Sequence, residues 1–345
     1  MSMLKWYQET ENQHDVFVAS RIRLVRNLDH YPFPVKLSEE ERVALTRKLE
    51  EGLKDIGSVC GRSFQKLPLS SMETERREAL RERRVINGAG AQKKGTGSLL
   101  VSEDETVSIT LAGEDHVRLQ CMNGQADLTG LWEEVNRLDD YVNERFDYAF
   151  HERYGYLTAY PTNVGTGLRA AVTLHLPMLS AGKRFGKLVG EISRFGVAVR
   201  GVYGDGNENY GALYEISNQK TLGVTEEEII SLVKQMADRL AASERKMKSV
   251  TLKNHRTDME DEIFKSYGVL RYARKLSLKE AMTYLSQVRA GEMEGLLQFQ
   301  KPANLHRLMM EIQPANIRLL MPEGEQEDSK QARAAYIRKM LPELV

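Results

Sequence analysis

The chain has 345 residues, 49 lysines and arginines against 49 aspartates and glutamates, and two cysteines, Cys60 and Cys121. At roughly 100–200 residues per domain this length predicts two domains with a sizeable core, and the 41 % hydrophobic and 28 % charged fractions exclude a disordered or fibrous chain. A formal charge of zero removes any whole-protein argument for binding nucleic acid or an anionic membrane, so anion recognition has to come from clustered arginine. Two cysteines cannot build a disulfide framework or a four-cysteine zinc site, and no run approaches the ~18 apolar residues of a bilayer span. Met1 to Gln13 carries charges and lacks the apolar centre of a signal peptide. The expectation is a soluble cytoplasmic protein whose cysteines are small buried hydrophobes.

In chain order, Ser38-Glu39-Glu40-Glu41 is a capping box that predicts a helix through Leu53. Asn87 to Ser98 is glycine-rich, basic and without periodicity, a surface loop that either links elements or closes over an anionic ligand. Val107, Ile109 and Leu111 alternate with Thr106, Ser108 and Thr110; Val172, Leu174 and Leu176 alternate with Ala171, Thr173 and His175; Gly196 to Val202 is a third β-type run. Such alternation predicts half-covered antiparallel strands. Thr225-Glu226-Glu227-Glu228 is a second capping box, with Val224 and Ile229 spaced as a hydrophobic staple. Behind it Ile229, Leu232, Val233, Met236 and Leu240 lay one apolar stripe along a helix. A third box, Ser277-Leu278-Lys279-Glu280, falls in a region that is charged and helical from about Thr251. The fold class is therefore α+β: an antiparallel sheet flanked by helices over residues 1–250, then a smaller helical domain over 251–345.

Several familiar motifs fail. Gly165-Thr166-Gly167-Leu168-Arg169-Ala170 matches a dinucleotide fingerprint, which has meaning only between a strand and a helix; here a strand pattern follows it. Gly90 to Thr96 spaces glycines like a P-loop but lacks the lysine that meets the phosphates. No H-R-D or D-F-G set is present. His151-Glu152 has no second histidine at zincin spacing, and no structural metal is expected.

What remains is arginine beside turns and strand ends: Arg21 and Arg23, which point the same way on an extended segment, then Arg84, Arg118, Arg169 and Arg200. A guanidinium matches phosphate oxygens bidentately and stays charged at any working pH. Taken singly, each is an ordinary surface ion-pair partner.

Taken together they sit in motifs that occur in a recognisable order. Ser20-Arg21-Ile22-Arg23-Leu24-Val25-Arg26-Asn27, Glu114-Asp115-His116-Val117-Arg118, Pro161-Thr162-Asn163-Val164-Gly165-Thr166-Gly167-Leu168-Arg169-Ala170, and Arg200-Gly201-Val202-Tyr203-Gly204 with Ile216-Ser217-Asn218 resemble the ATP:guanidino phosphotransferase family. Within it the chain is similar to the bacterial enzymes that phosphorylate protein arginine, through Tyr203 and through Ser266-Tyr267-Gly268-Val269-Leu270 and Leu285-Ser286-Gln287-Val288-Arg289 in the C-terminal region. The resemblance implies transfer of the ATP γ-phosphoryl group to arginine side chains of proteins, with ATP and Mg²⁺ as cofactors. Ser20, Arg21, Ile22, Arg23, Arg84, Arg118, Arg169, Arg200 and Tyr203 would form the nucleotide region. Glu114, with Glu208 or Asp205, would flank the acceptor guanidinium. It also implies a homodimer through the C-terminal domain, an activator protein, and Clp-type protease machinery as partners.

The chain departs from the family in places. Tyr160-Pro161-Thr162-Asn163 stands where the family has Cys-Pro-Thr-Asn, so a phenol replaces a thiolate beside the acceptor. Ala112-Gly113-Glu114 keeps only the last residue of an Asn-Glu-Glu run, and Ser329 to Ala334 keeps only the second half of a phosphoarginine-binding motif. Two alternatives therefore stand beside the enzyme: a nucleotide-binding relative acting as a scaffold, and a small-molecule guanidino kinase.

Overall fold

The computed structural model describes residues 3–8, 15–92, 97–204, 208–321 and 328–345. Its strands are β1 (Phe17–Arg26), β2 (Phe64–Pro68), β3 (Ser98–Ser102), β4 (Val107–Leu111), β5 (Val117–Asn123), β6 (Phe150–His151), β7 (Gly155–Tyr156), β8 (Leu168–His175), β9 (Val197–Gly201) and β10 (Leu213–Asn218). All but the small β6–β7 hairpin join one eight-stranded sheet in the order β2-β3-β4-β5-β1-β8-β10-β9, and every pairing is antiparallel. The helices are α1 (Glu39–Gly52), α2 (Gly57–Cys60), α3 (Thr74–Glu82), α4 (Gly88–Ala91), α5 (Leu128–Asn143), α6 (Pro177–Ala181), α7 (Phe185–Ser193), α8 (Glu226–Tyr272), α9 (Leu278–Met293), α10 (Leu305–Glu311), α11 (Pro314–Leu319) and α12 (Ser329–Met340).

All three capping boxes form, at Ser38, Thr225 and Ser277, each with side chain and backbone bonded reciprocally. The segment 87–98 differs from its expectation in one part: Asn87 Oδ1 accepts the Gly90 N–H at 2.9 Å and starts the short helix α4; residues 93–96 lie outside the described set. The rejected fingerprint has a packing explanation. Gly165 (φ 110°) and Gly167 (φ 65°) adopt backbone that L side chains resist, and a Cβ would lie 2.1 Å from the Thr221 carbonyl oxygen at the first and 2.6 Å from Arg26 at the second. These glycines let the chain pass close beside its neighbours.

Strand alternation divides the sheet into two unlike faces. Ile22, Leu24, Ile109, Leu119, Cys121, Ala170, Val172 and Ile216 turn toward α5 and the first half of α8, and build the main core with Val135, Leu138 and Val233. Burial pushes the Cys121 thiol well up from its ordinary value. The helix α8 changes core along its length. It is interrupted at His255, whose φ −139° and ψ 36° are not helical. Ile229 to Ala241 belong to the sheet core, whereas Met259, Ile263 and Leu270 join a second core with α9, α10 and α12. The expected division at 250 thus falls inside this helix, just before its kink.

Candidate active site

The other face of the sheet gathers the arginines. The register pairs Arg23 with Gln120 on β5 and with Arg169 on β8, and Val25 with Arg118. Directly paired residues of antiparallel strands project to the same side, so Arg21, Arg23, Arg118 and Arg169 share one face, with Arg200 carried there by the Glu215–Arg200 pair. Arg23 directly opposite Arg169 is a like-charge pair, which weakens a sheet unless an anion is shared between them. Burial, and then neighbouring guanidinium groups, lower the Arg23 and Arg169 pKa values and lower that of Arg118 strongly. Arg21 falls to about 10 for the same first reason.

Glu215 compensates part of this charge, and Glu114 and Asp115 also offset Arg23 and Arg118. Glu215 on β10 accepts Arg21 Nη2 at 2.8 Å and also Arg84. Burial alone would raise its pKa, but Arg21, Arg84 and Arg23 outweigh that and hold it down at about 2. Arg84 follows α3 with a left-handed φ of 67°, donates to Thr173 Oγ1 at 3.2 Å, and has its carbonyl held by Gln120 Nε2 at 2.8 Å. Arg169 donates to the Asn218 carbonyl. Arg200 is exposed at the end of β9. Ser20 and Ile22 part from the expected set: alternation turns both to the helix-covered side, where Ile22 is a core residue. Tyr203 lines a separate cleft with Glu82, Arg84 and Tyr210, where burial pushes its phenol up to about 12.

Glu114 sits in the β4–β5 connection and opens into a cavity of about 220 Å³ that Arg23, Arg118, Asn87, Gly90 and Asn163 also line. Its Oε1 accepts the Tyr160 hydroxyl at 2.8 Å and its Oε2 accepts Asn87 Nδ2 at 2.6 Å. The carboxylate bond raises the Tyr160 pKa. Two neighbours fix this geometry. Asp115 Oδ1 accepts both Asn27 Nδ2 and the Ala159 N–H at 2.7 Å, which ties the Tyr160 segment to the Glu114 turn. His116 Nδ1 accepts the Leu28 N–H at 2.9 Å, so its proton is on Nε2, facing the Pro32 carbonyl at 3.0 Å. Burial lowers the His116 pKa and favours this neutral form. Asp115 and His116 therefore brace the turn, while Glu114 faces the cavity.

Two guanidinium atoms beside this carboxylate, Arg23 Nε and Arg118 Nη1, are buried without a hydrogen-bond partner. A buried donor left unmade costs about 1–3 kcal/mol, which an anion drawn in beside these guanidinium groups would relieve. Glu208 does not reach this cavity: it is exposed and paired to Lys279 of α9 at 2.9 and 3.0 Å. Asp205 lies outside the described residues. In the Ser329–Ala334 segment Arg333 is spent on the Ile312 and Leu276 carbonyls, both at 3.0 Å. Sequence reasoning missed Glu215 and Asn87. The first sits two residues before the quoted Ser217-Asn218 pair, and the second opens the glycine-rich stretch.

Residues 48–247 match the ATP:guanido phosphotransferase C-terminal catalytic domain, and residues 256–344 match the protein-arginine kinase McsB C-terminal domain. The chain is 38 % identical to a protein-arginine kinase of Caldanaerobacter subterraneus subsp. tengcongensis, over 88 % of this chain and 90 % of the relative. It is 36 % identical to one of Halothermothrix orenii, over 93 % and 90 %. Among solved structures it superposes on a lombricine kinase with a TM-score of 0.60 at 22 % identity over 72 % of each chain, a likeness of fold.

Proposed function

This chain belongs to the ATP:guanido phosphotransferase family, and from that premise we propose that it transfers the γ-phosphoryl group of ATP to arginine side chains of proteins. The observation that carries this reading is that Arg23 and Arg118, each with a buried guanidinium nitrogen left without a partner, line the same cavity as Glu114. Arg21, Arg23, Arg118, Arg169 and Arg200 hold the nucleotide phosphates, with Arg84 at their edge. Phosphoryl transfer is mostly alignment and charge stabilisation, which a rigid sheet face supplies.

The acceptor is a guanidinium cation without a free lone pair. Glu114 orients it by pairing with its fork and accepts the N–H proton as that nitrogen bonds to phosphorus and ADP departs with the former P–O bonding pair. Mg²⁺ would enter on the phosphates and neutralise part of their charge; among the described residues no group of three His, Cys, Asp or Glu gathers to hold it. With Glu208 held by Lys279 away from the cavity, Asp205 is the candidate for a second carboxylate. One observation favours a scaffold instead: both Glu114 oxygens are hydrogen-bonded by Tyr160 and Asn87. Incubation with ATP and an arginine-rich protein, followed by mass spectrometry under non-acidic conditions that spare the P–N bond, decides. Phosphoarginine is expected, and ATP binding without any modified arginine would establish the scaffold.

Nucleotide binding is tested separately. Arg169→Ala is expected to lose about 1.5–3 kcal/mol of ATP affinity, the worth of a charged hydrogen bond; calorimetry giving the wild-type affinity would remove Arg169 from the site. A C2 homodimer through the helical region after residue 250 accords with the exposed Phe264, Val269 and Tyr272 on α8. Light scattering at tens of micromolar is expected to give twice the chain mass, and a monomer would overturn it. We place the protein in the cytoplasm, with an activator protein and Clp-type machinery among its partners; no helix among the described residues is long and apolar enough to cross a membrane.

A further inference from the structure

Three consecutive residues run from the C-terminal helices to the arginine face. Glu82, the last residue of α3, is 8 % exposed and accepts the Ala315 N–H at 2.8 and 3.0 Å, the Asn316 N–H at 2.9 Å and the Asn316 side-chain amide at 2.9 Å. Arg83 forks onto Glu105 at 2.9 and 3.1 Å and donates to Asn316 Oδ1 at 2.7 Å. Arg84, next in the chain, reaches Glu215 and Thr173 on the face proposed for the phosphates.

The cap on α11 is unusual in its source. Its own N-cap, Gln313, makes no side-chain cap bond, and the orphan N–H groups of the first turn are met by a carboxylate more than two hundred residues earlier in the chain. Carboxylate and helix therefore hold α3 and α11 to each other. A bulky residue at φ 67° persists only where its surroundings over-determine it. Here the constraint has two sides: Glu82 anchored on α11 before the turn, and Gln120 Nε2 on the Arg84 carbonyl after it.

We propose that Glu82 is a positioning residue for nucleotide binding: its clamp on Ala315 and Asn316 fixes the left-handed turn that aims Arg84 at the phosphates. The C-terminal helices thereby set the geometry of one phosphate-binding cation. This rests on the reading that the arginine face binds ATP.

A double-mutant cycle on the full chain tests it. Glu82→Gln keeps the size of the side chain but sets an amide N–H against the helix N–H groups. It is expected to weaken ATP binding about tenfold, within the usual range of inter-site coupling, with KM for ATP raised and kcat retained. In an Arg84→Ala background the same substitution is expected to change ATP affinity by less than about twofold. An equal loss in both backgrounds, or no loss in the parent, overturns the proposal. Should Glu82→Gln not fold, Asn316→Ala removes one arm of the clamp and is taken through the same cycle with the same criterion. If Arg84→Ala alone leaves ATP affinity intact while Arg169→Ala lowers it, this inference falls and the nucleotide reading stands. If neither lowers it, both fall.

Discussion

Glu114→Gln is expected to lower phosphoryl transfer by about 10²–10⁴-fold, the usual worth of a positioned general base, while leaving ATP affinity within about twofold. The substitution is nearly isosteric, and the amide oxygen can still accept from Tyr160 or Asn87, which now meet at the carboxylate at 2.8 and 2.6 Å. The cavity keeps its shape and loses only the proton acceptor and its charge. Single-turnover rates beside ATP calorimetry separate these effects, and full activity in Glu114→Gln would remove it from the acceptor site. Tyr160→Cys probes the same place from the other side. It removes a phenol that occupies Glu114 Oε1 and installs a thiol able to ionise beside a guanidinium, so transfer is expected to rise. No change in either variant would overturn the placement of the acceptor.

The largest effect on stability is expected at Glu215. It is the carboxylate to which both Arg21 and Arg84 donate, and with these side chains only 16–20 % exposed, removing it strands charge at a cost of about 3 kcal/mol, the low end for a buried pair. Glu215→Gln should therefore unfold at markedly lower denaturant, and ATP should restore more stability to the variant than to the parent, since phosphate oxygens take over as counter-ions. The sign with pH follows from linkage. The folded pKa is about 2 against an ordinary 4.5, so the contribution, about 3 kcal/mol, is present above pH 4.5 and fades as pH falls through about 2. Stability curves of parent and variant should converge across that interval; parallel curves would show that Glu215 does not carry the charge balance.

Much of this was legible locally. Capping boxes at Ser38, Thr225 and Ser277 depend on four adjacent residues and formed as read. The strands around Val107 and Val172 formed as antiparallel strands where their alternation placed them, but both are buried on both faces rather than half-covered, because the arginine face is itself covered. What the sequence withheld is whatever depends on which strands are neighbours. Ser20 and Ile22 lie within the same motif as Arg21 and Arg23, yet alternation sends them to the core, and a motif does not say which parity faces a ligand. Glu215 gains its role only because β10 pairs with β8, a contact set by chain passing through β9 and two helices. Glu208 meets Lys279 because α9 docks beside its loop, which no local pattern records. Asn87 lay in plain view at the head of a glycine-rich stretch, but its two tasks, capping α4 and holding Glu114, belong to different levels of structure.

The Tyr160 phenol at the cavity and Cys121 beneath the helices have a consequence for chemical resilience. Among the described residues, no sulfhydryl lines the cavity that holds Glu114. A thiolate beside cationic groups would be the first side chain taken by peroxide or an alkylating reagent, climbing through sulfenic to irreversible acids. A phenol does not enter that ladder, and the protonated, sequestered Cys121 enters it slowly. In the proposed reaction the arginine face therefore relies on no group that peroxide or an alkylating reagent would take first, and transfer is expected to be insensitive to the redox state of its surroundings.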